Sequence, residues 1–186
     1  SPAGALVEKI TNSVDSILIK ECKLNNIDPE SSNAPQTQKE ATEKFFNLDK
    51  GEISYLYNPN HTDEYLTELA DNIQIFATGA ARNNYPSITI ADRGEGQSEN
   101  TIEDTFLSLA KDNKGGINFT QGKFNQGGAG TLRFSGEYGF NLIATKKHPN
   151  LNESPYWCFT LLRTFSPDER GDNKQFFNAY YLTLNG

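Results

Sequence analysis

The chain has 186 residues, enough for a single domain with a sizeable core, since a chain near this length buries about 70% of the surface its unfolded form exposes. Its formal net charge of −7 argues against holding nucleic acid through bulk charge, and no run approaches the roughly 20 apolar residues that a membrane span requires. Cys22 and Cys158 make no metal-ligand spacing, and His61 and His148 stand alone, so neither a zinc centre nor a Ser-His-Asp triad is easily built.

In chain order, residues 5–21 read as a helix, because Leu6, Ile10, Val14, Ile17 and Leu18 recur at helical spacing. Residues 25–40 are polar with two prolines and read as a loop, the start of an insertion over 25–62. Residues 63–77 predict a second amphipathic helix with Leu66, Leu69, Ala70, Ile73, Phe76 and Ala77 on one face. The β-branched run Ser87–Ala91 predicts a buried strand, and Thr101–Lys111 a helix. Residues 112–130, rich in Gly, Asn and Gln, read as a long mobile loop. Phe140–Lys146, Trp157–Thr164 and Phe177–Leu184 read as strands. Helices followed by strands predict an α+β fold, a two-layer sandwich with helices on one face of a single sheet.

Three constellations carry chemistry. The first lies on the first helix. At about 100° per residue, with Glu8 at zero, Asn12 falls near about +40° and Asp15 near about −20°, one narrow polar stripe. Lys9, Ser13, Ser16 and Lys20 gather about 80–140° round, as a solvent face. Two acids and an amide can hold a hard cation through oxygen and present a carboxylate to water; the bland reading is a solvated surface. The second is Asp92-Arg93-Gly94-Glu95-Gly96, an acid at a strand end beside glycines at alternate positions. Such an acid can accept a hydrogen bond from an exocyclic amine, or the segment is a plain turn. The third is Gly122–Thr131, with Gly122, Gly127, Gly128 and Gly130, whose amides can converge on phosphate oxygens. A P-loop fails, because Gly116 to Gly122 is one residue too long and Phe124 follows Lys123. A flexible surface loop is the other reading.

Taken together, Glu-x-x-x-Asn-x-x-Asp on a first helix, Asp-x-Gly-x-Gly after a strand, and then a Gly-rich turn resemble the GHKL ATPases, whose nucleotide pocket is the Bergerat fold. The likeness runs from about residue 4 to residue 184. It implies a Bergerat-type sandwich on a mixed, mostly antiparallel sheet, binding ATP and Mg2+. It implies Glu8 as general base for the attacking water and Asn12 as the magnesium ligand, with Asp15 a second acid near the nucleotide. Asp92 would accept a hydrogen bond from the adenine amino group, with Gly94 and Gly96 letting the backbone pass close to base and ribose. Residues 112–121 resemble the ATP lid, with Lys111 and Lys114 as phosphate contacts. Lys123, Gly127, Gly128, Gly130 and Thr131 resemble the turn that closes on the γ-phosphate, and Thr160 would support Asp92. The chain departs from the family in the length of its glycine turn, in Gln97 where many members carry an apolar residue, and in the 25–62 insertion.

The implied activity is Mg-dependent ATP hydrolysis, with lid closure driving conformational change in a larger protein. Histidine-kinase-like phosphotransfer and nucleotide sensing with little turnover are the alternatives; Glu8 favours hydrolysis. The absence of methionine, even at position 1, suggests a piece of a longer polypeptide. The expected partners are ATP or ADP, the rest of the same polypeptide and a second copy, with no membrane and no nucleic acid. The expected setting is cytoplasmic.

Overall fold

A computed structural model describes residues 2–51, 62–79, 87–102, 116–121, 139–151, 154–165 and 178–182. The helix expected over 101–111 falls almost wholly outside these residues, as does the glycine-rich turn with Lys123, Gly127, Gly128, Gly130 and Thr131. Lys111 and Lys114 fall outside them too.

The described chain is α+β. Its helices are α1 (Pro2–Leu24), α2 (Gln38–Phe46) and α3 (Asp63–Ala70). Its strands are β1 (Ile73–Thr78), β2 (Ser87–Asp92), β3 (Phe140–Thr145), β4 (Cys158–Phe165) and β5 (Asn178–Leu182). The described strands form two antiparallel sheets, β1-β2 and β3-β4-β5; the single mixed sheet expected is not seen among the described residues.

The core gathers on the C-terminal half of α1. Leu18, Ile19 and Cys22 pack with Ala34, with Ala41 of α2, and with Ile117 and Phe119; Val14, Ile27, Phe45 and Phe46 close the edges. The expected insertion is therefore no appendage where it is described. Its loop and α2 cover apolar side chains that α1 could not bury alone. α2 starts at Thr37, whose hydroxyl accepts from Glu40 N at 3.1 Å, while the Glu40 carboxylate accepts from Gln36 N at 2.8 Å. That pairing satisfies backbone donors that a helix start leaves open. Asn47 ends α2 in the left-handed conformation at φ 49°, a position that suits asparagine.

The helix expected over 63–77 stops at Ala70. Thr62 caps its start, and the Asn72 side chain donates to the carbonyls of Glu68 and Leu69 at its end. Ile73, Phe76 and Ala77 then lie on β1, paired with Asp92, Thr89 and Ile88 of β2. Asp71 and Asn72 are weak helix formers, and Ile73-Gln74-Ile75-Phe76 suits a pleated surface better than a helix. The strand at 87–92 forms as expected but is not buried, since Ile88 is 55% exposed. In the second sheet the faces differ: Leu162 and Thr145 point to one side and are buried, while Leu142 and Phe159 point to the other and are exposed.

The mobile loop expected over 112–130 is packed where it is described. Ile117, Phe119 and Thr120 are buried, with Phe119 only 1% exposed. Two apolar side chains fill space beside Leu18 and Cys22, which outweighs the local preference of their polar neighbours for solvent.

Candidate functional site

Ser13 and Ser16 stand one turn apart on α1, three residues being near-neighbours on a helix surface. The Ser13 hydroxyl donates to Asp92 Oδ2 at 2.8 Å. Asp92 Oδ1 accepts from Gly94 N at 3.0 Å. Asp92 is thus fixed at the end of β2 and against the helix that carries Glu8 and Asn12, with Ser13 directly following Asn12. The Asp92 residue remains exposed, so its oxygens can accept further bonds.

The loop after Asp92 runs along the same face of α1. Glu95 N donates to the Ser16 carbonyl and hydroxyl at 3.2 and 3.1 Å. A Cβ on Gly94 would lie 2.1 Å from Ser16 Oγ, so the close approach demands glycine there. Gly96 has φ +66°, and a Cβ would lie 1.9 Å from the Lys146 carbonyl oxygen. Gln97 N donates to Thr145 Oγ1 at 3.0 Å, and His148 N to the Glu95 carbonyl at 2.9 Å. The loop is therefore tied to α1 on one side and to the end of β3 on the other.

Glu95 is buried, and its Oε1 takes ion pairs from both Lys23 and Lys147. Burial pushes its carboxyl pKa up, but the hydrogen bonds and charges of Lys147 and Lys23 more than offset that and hold it below the ordinary glutamate range. In the N-terminal half of α1, burial pulls the Lys9 ammonium below its usual range, with the Glu8 carboxylate opposing the shift.

The face of α1 read as solvent-exposed is thus largely covered. Ser13 and Lys20 are buried and Lys9 and Ser16 half-buried, and the Asp92–Gln97 loop docks on Ser13 and Ser16. Of the polar stripe, Glu8 and Asn12 are half-buried, whereas Asp15 is fully buried at 0% exposure. Its Oδ1 accepts from Gln121 N at 3.0 Å, so it anchors the 116–121 segment. Among the described residues, the side-chain hydroxyl bonded to Asp92 is that of Ser13. Thr160, expected in that role, lies on β4 opposite Ile143.

Sequence reasoning missed Ser13, Ser16, Lys23, Glu95 and Lys147. The available signal was the spacing of Ser13, Ser16, Lys20 and Lys23 on one side of α1, with small residues where a backbone comes close. Among the described residues, no group of three or more His, Cys, Asp and Glu side chains is arranged to hold a metal ion. No helix among them is long and apolar enough to cross a membrane. Comparisons with protein-family models, curated proteins and solved structures return no match.

Proposed function

We propose that the chain is a GHKL-type domain that binds ATP with Mg2+ and hydrolyses it, on a Bergerat-type sandwich. The observation that carries this reading is the Ser13–Asp92 hydrogen bond, which joins the strand-end acid to the helix bearing Glu8 and Asn12 across 79 residues of sequence. On this reading the strand-end acid and the Glu8–Asn12 stripe of the same helix serve one purine triphosphate and its cation.

Asp92, already oriented by Ser13 and Gly94, accepts from the adenine amino group through its exposed oxygens. Asn12 offers one amide oxygen to the cation. Magnesium is commonly held by few protein ligands and otherwise by phosphate oxygens and water, so a single amide oxygen beside the triphosphate suits it. Bound Mg2+ neutralises phosphate charge. Glu8, half-buried on α1, positions and deprotonates the attacking water. Asp15 acts at one remove, by holding the 116–121 segment in place. The rest of the polypeptide and a second copy are the partners that would use the nucleotide state, in a cytoplasmic setting.

The test is binding and turnover of Mg-ATP by the chain and two variants. Glu8→Ala should keep binding and lose turnover by about 10²–10⁴-fold, the usual contribution of a general base. Asp92→Asn should weaken binding by about 1.5–3 kcal/mol, the worth of a hydrogen bond to a charged group. Turnover in Glu8→Ala within about tenfold of the parent removes Glu8 as the base. A parent chain that does not bind Mg-ATP overturns the whole reading.

A further inference from the structure

Between Asp92 and Gln97 the loop contains Gly94 and Gly96, whose backbones have more freedom than any others. Something must hold such a loop if Asp92 is to keep one position relative to α1. Glu95, between the two glycines, supplies the ties. Its amide bonds to Ser16 on α1, its carbonyl receives His148 N from beyond β3, and its carboxylate lies between Lys23 at the C-terminal end of α1 and Lys147. Lys147 Nζ also reaches the Gly96 carbonyl at 3.4 Å.

Resting on the nucleotide reading above, we propose that Glu95, clamped by Lys23 and Lys147, is a positioning residue that sets the Asp92 carboxylate for the base of the nucleotide. Both ammonium groups use the same carboxylate oxygen, Oε1. Neutralising Glu95 therefore does more than remove two attractions. It leaves two partly buried cations facing each other, and their repulsion separates α1 from the segment after β3. Glu95 is three residues from Asp92, and Gly94 N is bonded to Asp92 itself, so the movement is passed on at once. An apolar side chain at this position could hold the fold together equally well. What the ion triad adds is one fixed register between α1 and the loop.

The test uses Mg-ATP binding and steady-state turnover of the parent, Glu95→Gln and Lys147→Gln. Glu95→Gln keeps the size of the side chain and should weaken Mg-ATP binding about tenfold, the scale of a sub-ångström misplacement in a site. The loss should fall on KM rather than kcat, because Glu8 is untouched. A merely destabilised protein behaves differently: it loses active fraction and keeps its KM. Lys147→Gln retains the Lys23–Glu95 pair, stays folded and should show a smaller loss in the same direction. If the parent binds Mg-ATP and both variants match its affinity within about twofold, the clamp is overturned and the nucleotide reading stands. If the parent does not bind, the nucleotide reading falls, and the clamp's part in it with it.

Discussion

Gly96 is where one residue type is most narrowly required. Its φ of +66° lies in the left-handed region, and the space a Cβ would need is taken by the Lys146 backbone carbonyl. A side-chain tip could swing away; a backbone carbonyl cannot without disturbing the neighbouring Gln97–Thr145 and His148–Glu95 bonds. Left-handed backbone alone costs a non-glycine residue about 1–2 kcal/mol. With the clash added, Gly96→Ala should lower unfolding stability by about 2–4 kcal/mol in urea melts. A loss below about 0.5 kcal/mol, the range of an ordinary surface change, would mean that the loop does not seat against Lys146 as described. A close backbone approach at Gly94 and Gly96 was legible in the sequence as one of two readings, the other being a plain turn. Ser13 was not. A serine between lysines on a helix face reads as solvated surface, and nothing local reveals that its partner lies 79 residues away.

At the scale of elements, α1 and the strands β3 to β5 were readable because their apolar patterns are regular. The error at 71–77 has a physical cause. Leu66, Leu69, Ile73 and Phe76 fit a helical stripe, yet the last two fit a strand equally well, and cross-strand pairing with β2 decides between them. The segment 116–121 misled in the opposite sense. Its glycine, asparagine and glutamine neighbours suggest a loose loop, but Ile117 and Phe119 are core residues, and the buried Asp15 carboxylate holds Gln121 N. The core thus borrows from a segment with no secondary structure of its own. Phe119→Ala should cost about 3–5 kcal/mol, as truncation of a buried aromatic does, measured by chemical denaturation. A cost under about 1 kcal/mol would return this segment to the loose loop that its composition suggests.

Across the whole molecule, α1 is the shared member. Its one side carries the apolar core with α2 and the 117–120 segment, and its other side receives the loop after β2, which is itself tied to the end of β3. The Glu95 triad joins these parts, so its charge state bears on global stability. Glu95 has a folded-state pKa below the ordinary value of about 4.3. A group of that sign contributes fully above its unfolded pKa, and its contribution is lost as pH falls through the folded one. General charge acts the other way at first. The chain carries −7 at neutral pH and a pI near 4.9, so mild acid reduces self-repulsion. Stability should therefore hold from neutral pH to about 5 and fall below the ordinary glutamate range. The stability difference between parent and Glu95→Gln, followed by urea midpoints, should narrow as pH drops from about 5 to about 3, because acid removes in the parent what the substitution has already removed. A difference that stays constant over that interval would mean that Lys23 and Lys147 do not hold Glu95 ionised, and that something other than charge joins the loop to α1.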